Sequence, residues 1–335
     1  MNIRWKELIG AVMLGAVCPA MLFSMVNRQE NPIPQVNDQT TLTTEVTTTS
    51  AVQTTEQLTK PQEFVLSVLM ANGEIKQMLL DDYLTEVVLK EMPADFEMEA
   101  LKAQAVVART YALRRMEKDS KHTGADVCTD FTCCQGYISK KEFLSRGGTE
   151  KQLHKVQEAV TSTAGQVLTY NGNLAEATYF SCSGGMTEDA KAVWGADVPY
   201  LQAIKSPGEE KATHYIDTIS FTTEEFAVRL GDNLSGSPEK WIGPITYTEG
   251  NGVNTIEICG KKYKGTQIRS LLGLRSTAFV ITVVGNTVSI TTKGYGHRVG
   301  MSQYGADAMA VQGNDYKEIL AYYYGGTKIE KWSAN

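Results

Sequence analysis

The sequence predicts an α+β fold: a two-lobed globular domain with a substrate cleft, preceded by an N-terminal transmembrane helix and a disordered Thr-rich linker. Three observations carry this expectation. The chain has 335 residues, more than the roughly 250 to 300 at which a single core stops growing, so two lobes with a cleft between them are expected. Apolar runs on either side of Asn72-Gly73 and Asn171-Gly172 read as β-hairpins, while Leu101, Ala105, Ala108, Ala112 and Met116 recur at helical spacing. Ahead of both lie a long uncharged run and a stretch too polar to build a core.

The uncharged run is Leu8 to Val26, nineteen residues preceded by Arg4 and Lys6. That length can span a bilayer, and the basic residues ahead of it stay cytoplasmic, which sends everything after Asn27 outside. A cleaved signal peptide is the alternative. No small-x-small site follows the run, however, and Leu14 to Cys18 carries Val17 where a lipoprotein box has a small residue. Residues 1–27 are therefore expected to be a membrane anchor. Residues 28–60, rich in Thr, Gln and Pro, are expected to be a flexible linker. The folded part is expected over 61–330, with a main lobe of about 61–215 and 275–330 and a smaller lobe of about 216–274. The net charge of −6 and the absence of a basic stripe exclude nucleic acid as a partner.

Within the folded part, Asp81 and Asp82 stand in position to cap a helix through Leu89, and Leu84, Val87 and Val88 share one of its faces. Pro93 disfavours a helical Met92, so this helix should end at about Glu91. Asp95 is the expected N-cap of a second helix, with Glu97 and Glu99 in its first turn, where negative charge suits the dipole. The second hairpin runs into a Gly-rich loop, "SCSGGMTEDA". The smaller lobe mixes a short helix, "TTEEFAVRL", with short strands and closes on a helix ending at Gly273. The hairpin "AFVITVVGNTVSITT" then leads to a loop, "KGYGHRVGMSQYGADAMA", and a last helix stopping at Gly325. No internal repeat is evident.

Three constellations can carry chemistry. Glu91 sits at a helix C-terminus beside Leu89, Met92 and Pro93; the dipole and the apolar neighbours both raise its pKa, as glycosidic cleavage requires of its acid. The alternative is a solvated helix-end glutamate. His122, Cys128, Cys133 and Cys134 lie within thirteen residues and fit a closed tetrahedral zinc site, which would be structural. A disulfide among the three cysteines is the alternative in an oxidising compartment. Cys182 and His297, each in a Gly-rich loop, form a possible Cys-His peptidase pair, although nothing around Cys182 is electropositive and a half-buried strand-end residue explains it as well.

The blocks "VVLKEMPADFEMEALKAQAVVARTYAL", "YFSCSGGMTEDAKAVWGADVPYLQAIKSPGEE", "LLGLRST" and "GYGHRVGMSQYGADAMA" together resemble the stage II sporulation protein D family, the membrane-anchored lytic transglycosylases of endospore formers. The resemblance runs from about Phe64 to Thr327. It implies an enzyme that cuts peptidoglycan glycan strands during forespore engulfment, at the MurNAc-GlcNAc bond, leaving a 1,6-anhydroMurNAc end. It places the catalytic acid at Glu91 and a zinc site at His122, Cys128, Cys133 and Cys134. Two departures stand out: Cys133 occupies a position that is often histidine, and Cys182 one that is commonly Ser or Thr.

A single acid suffices for such a mechanism, whereas a hydrolase needs a second carboxyl, and Asp95, Glu97 and Glu99 are better explained by helix capping. Ser183, Gly184, Gly185, Tyr295, His297, Gln303 and Tyr304 are assigned to the cleft. Arg109 is assigned to steadying a carboxylate, with a surface ion pair as its alternative. The resemblance further implies stage II sporulation proteins P and M as partners and glycan strands that have lost their stem peptides as substrate. It puts the N-terminus in the mother-cell cytoplasm and the catalytic domain in the space between mother cell and forespore. The competing reading is a non-catalytic peptidoglycan-binding activator of a cell-wall amidase.

Overall fold

A computed structural model of the chain describes residues 64–118 and 120–333. The expected anchor and linker lie outside the described residues. Among the described residues, no helix is long and apolar enough to cross a membrane.

The described part mixes helices and small sheets. Strands β1 (Val65–Leu69) and β2 (Ile75–Leu79) form the hairpin expected at Asn72-Gly73, with Gly73 at φ +85. Helix α1 (Leu80–Glu91) begins without a side-chain cap: Asp81 and Asp82 fall in its first turn, where they serve the dipole instead of the cap. It stops where Pro93 predicts, with Met92 extended at φ −126 and ψ 138. Helix α2 (Met98–Lys118) starts three residues after Asp95. Asp95 therefore does not cap it, and accepts from Gln152 Nε2 at 2.9 Å.

Next come β3 (Val127–Cys128), parallel to β1, and helices α3 (Lys140–Ser145) and α4 (Glu150–Ser162). Strands β4 (Gln166–Tyr170) and β5 (Asn173–Leu174) make the second expected hairpin, followed by β6 (Tyr179–Phe180) and α5 (Ala190–Trp194). Beyond them lie β7 (Ile216–Thr222), α6 (Thr223–Leu230), β8 (Ile242–Tyr247), β9 (Val253–Ile258), β10 (Lys261–Lys264) and α7 (Gly265–Leu272). The hairpin β11 (Ala278–Val284) and β12 (Thr287–Lys293) leads to β13 (Met301–Ser302), α8 (Gln303–Val311), α9 (Tyr316–Tyr323) and β14 (Lys328–Lys331). Helix α8 lies where the sequence suggested a loop. Gly305 in its first turn gives the segment a loop-like look, yet a Cβ there would meet Glu209 Oε1 at 2.9 Å, so close packing explains the glycine.

Two hydrophobic clusters result. The first is organised by α2, whose Ala100, Ala103, Ala105, Ala108 and Ala112 are fully buried and let α1, α4, α8, α9 and β4 approach. The second gathers Phe226, Ile256, Ile268, Val288 and Ile290 under α6, α7 and the sheets β11-β12-β7 and β10-β9-β8. This corrects the boundary expected for the smaller lobe. The hairpin β11-β12, expected in the main lobe, joins β7 through β12, which pairs with it along its whole length, and fills the second cluster with Phe279, Ile281, Val288 and Ile290.

A polar seam joins loops flanking the two clusters. Arg298 Nη2 lies 2.5 Å from Glu188 Oε1, both side chains almost completely buried. It also donates to Gly250 O at 3.1 Å, while Thr248 Oγ1 donates to Glu188 at 2.8 Å. Arg298 adopts φ +64 to make this reach, a conformation that costs a side-chain-bearing residue about 1–2 kcal/mol.

Candidate active site

Glu91 ends α1 at the wall of a cleft of about 550 Å³. The segment Gln135–Lys140 is tied to the same helix by two glutamates. Glu86, buried one turn earlier, accepts from Tyr137 Oη at 2.5 Å and from Lys140 N at 2.9 Å. Glu91 itself accepts from Gly136 N through Oε1. A side chain at Gly136 would displace the Glu91 carboxyl, because a Cβ there would stand 2.9 Å from that oxygen.

The Tyr179 hydroxyl lies close enough to Glu91 to favour its ionised form. Gln135 Nε2 donates to Tyr179 Oη at 3.1 Å, which leaves the tyrosine proton free to serve another acceptor. Burial raises the Glu91 pKa above the ordinary 4.5, while Gly136 N, Tyr179 and Lys90 pull it back. Glu91 is thus neither a free surface charge nor half of an ion pair. Among the described residues lining the cleft it is the only carboxylate. Glu97 and Glu99 do not line the cleft, and Glu99 is occupied elsewhere, accepting from Lys102 at 2.6 Å and Tyr316 N at 3.0 Å.

The cysteine-histidine cluster assembles as expected. One ligand atom each from His122, Cys128, Cys133 and Cys134 lies within 4.8 Å of the others. His122 Nε2 is 3.5 Å from Cys134 Sγ and 3.6 Å from Cys133 Sγ. Bond lengths of about 2.3 Å to sulfur and 2.0 Å to nitrogen put the edges of a tetrahedral zinc site at about 3.5–3.8 Å, so donor set and spacing fit that metal. No disulfide is formed among the described cysteines. Cys134 immediately precedes Gln135 and Gly136, so the cluster anchors the segment that holds Glu91 and Tyr179.

Of the other residues assigned to substrate, Tyr295, His297 and Gln303 line the cleft. The remaining five do not line it. Arg109 is fully buried on α2, where it donates to the carbonyl of Val160 in the last turn of α4 and to those of Thr163 and Gln166 just past it, and pairs with Asp81 at 3.3 Å. It satisfies orphan carbonyls at a helix end, which is why it lies inside the fold. Ser183 is buried, its N and Oγ bound to Glu209 at 2.7 and 2.8 Å. Gly184 and Gly185 face a different cavity, of about 710 Å³, and Tyr304 packs edge-on against Phe96 at 4.9 Å.

His297 is held by its own loop. Val299 N donates to its Nδ1 at 3.1 Å, and burial first, then Arg269, lower its pKa to about 4. Cys182 is buried, with a thiol pushed up to about 11 by burial and then by Glu209; its sulfur faces His214 O at 3.7 Å. No thiolate-imidazole pair exists here. The residues missed from sequence are Gly136, Gln135, Tyr179 and Arg269. A glycine shortly after the last cluster cysteine was the one readable signal; Tyr179 and Arg269 reach the cleft only through tertiary folding.

The family model described as Stage II sporulation protein matches residues 71–170. The chain is 44% identical over 269 residues to Stage II sporulation protein D of Bacillus subtilis (strain 168), covering 79% of this chain and 78% of that protein. It is 42% identical over 266 residues to the protein of the same name from Bacillus amyloliquefaciens, covering 78% and 77%. A more distant relative, the Amidase enhancer of Bacillus subtilis (strain 168), is 30% identical over 304 residues, covering 73% of this chain and 40% of that protein. With its blocks in order and these relatives matched over most of their length, the chain belongs to the stage II sporulation protein D family.

Proposed function

We propose that this chain is a peptidoglycan lytic transglycosylase with Glu91 as its one acid and base. The observation that carries the reading is a cleft with a single carboxyl whose pKa burial raises. A protonated Glu91 gives its proton to the glycosidic oxygen as the bond from that oxygen to C1 of MurNAc breaks. The resulting carboxylate, steadied by Gly136 N and Tyr179, takes the proton of the sugar's own 6-hydroxyl. That oxygen closes on C1, the 1,6-anhydro ring forms, and Glu91 has its proton back. No water is consumed, which is why a second carboxyl is not needed.

We assign a structural zinc to His122, Cys128, Cys133 and Cys134. When bound, it supplies charge neutralisation and a cross-link for the 122–134 segment, and takes no part in the reaction. We further propose that residues 1–27 anchor the chain in the mother-cell membrane with the N-terminus in the cytoplasm. The folded part would then act on glycan strands between mother cell and forespore, with stage II sporulation proteins P and M as partners and stem-peptide-free strands as substrate. The name of the amidase-enhancer relative favours a second reading, in which the same cleft binds glycan without cutting it and activates an amidase.

Digestion of purified glycan strands by the exported fragment separates the two readings. Mass spectrometry should find 1,6-anhydro ends and, in ¹⁸O-labelled water, no incorporated label. Glu91→Gln should abolish cleavage while melting at or above the wild-type temperature at pH 7. The sign follows from the raised pKa: ionising Glu91 costs folding stability as pH rises above 4.5, and the amide avoids that cost. Intact strands after incubation with wild type would favour the activator reading.

A further inference from the structure

The cleft holds one carboxyl and two cations, Lys90 and Arg269, in a chain whose net charge is −6. The two cations are not alike. Lys90 is exposed and beside Glu91, whereas Arg269 is partly buried in the last turn of α7. Its Nε donates to Leu274 O at 3.3 Å. No carboxylate among the described residues lies within ion-pair distance of it. The other buried and half-buried arginines are paired: Arg109 with Asp81, Arg114 and Arg115 with Glu176, Arg275 with Asp217, Arg298 with Glu188.

A partly desolvated guanidinium without an anion is an incomplete interaction, because burial disfavours its charge and nothing local offsets that. Burial indeed lowers the Arg269 pKa, with only Tyr295 acting against it. The guanidinium fork matches a carboxylate with two parallel hydrogen bonds. We propose that Arg269 is the anion receptor of this cleft and binds a carboxylate carried by the glycan substrate. The proposal rests on the peptidoglycan reading above. Two carboxylates of that polymer have the right chemistry: the lactyl group of a muramic residue that bears no peptide, and the free carboxyls of stem peptides.

Binding is measured by calorimetry in the Glu91→Gln chain, so that turnover does not interfere. The probes are peptide-free glycan strands, peptide-bearing strands and chitin oligosaccharides of equal length, the last having the sugar backbone without carboxylates. We expect a carboxylate-bearing strand to bind at least about tenfold more tightly than chitin, the ratio falling with added salt. Arg269→Gln should bind all three alike, and Arg269→Lys, which keeps the charge without the fork, should retain part of the ratio. Tighter binding of peptide-free strands identifies the lactyl group as the partner; tighter binding of peptide-bearing strands identifies the stem peptide. An undiminished ratio in both Arg269 variants, or a wild-type cleft that does not discriminate, overturns the proposal. Because no cleavage is read, discrimination in this assay beside a wild-type chain that fails to cut glycan would sink the transglycosylase reading and leave Arg269 in place.

Discussion

Two glutamates in this molecule, Glu188 buried and Glu91 half-buried, have opposite surroundings. Glu188 lies in the polar seam against Arg298 at 2.5 Å, with Thr248 adding a hydrogen bond. Glu91 lies at a cleft wall with neutral neighbours, Gly136 N donating to it and the Tyr179 hydroxyl close by, and only the exposed Lys90 as a nearby cation. A guanidinium fixes a carboxylate as a structural charge, while neutral donors orient a carboxyl without committing it to one protonation state. That contrast distinguishes a joint from an acid.

The largest expected effect comes from breaking the joint. Arg298→Met leaves Glu188 buried beside a lone hydroxyl, which should cost about 3–5 kcal/mol and lower the unfolding temperature by roughly 6–20 °C. Replacing Glu188 by Leu in the same chain should recover much of that loss, since a buried pair is often no better than a well-packed apolar one. Calorimetric melts of single and double variants check both statements, and equal melting of Arg298→Met and wild type would remove the joint from the account.

A smaller effect with a wider reach is expected at the cysteine cluster. The purified chain should carry about one zinc, and Cys134→Ser should bind less metal and melt lower. It should also lose part of its cleavage, because Gln135 and Gly136, which orient Tyr179 and Glu91, follow directly in the chain. Elemental analysis beside a melt and a digestion assay reads all three. Full stability in a metal-free preparation would overturn the zinc assignment.

How much of this was legible in the sequence differs between the two glutamates. Glu91 could be found because Pro93 fixes the helix end and the apolar neighbours are adjacent in the chain. The metal ligands were legible for the same reason, lying within thirteen residues. Glu188 and Arg298 are 110 residues apart, and nothing local in either segment announces that they meet. Arg109 was misread because a charged residue on a helix is ordinarily exposed, whereas here the carbonyls at the end of α4 draw it inward. Helix α4 was passed over although Thr149 and Gln152 form a capping box ahead of Leu153, Val156, Ala159 and Val160. The boundary of the smaller lobe was missed because a hairpin's own alternation does not say which third strand it will join.

The central claim is that Glu91 is a carboxyl whose proton is retained by burial and tuned by Tyr179. It is tested most directly by following the Glu91 side-chain carboxyl with ¹³C NMR across pH, in wild type and in Tyr179→Phe. Wild type should titrate above 4.5, and Tyr179→Phe higher still, since removing a donor to the carboxylate favours the protonated form. The limb of the pH–rate profile in which activity falls with rising pH should move upward by the same amount. A Glu91 that titrates at or below 4.5, or one that Tyr179→Phe leaves unmoved, would contradict the account.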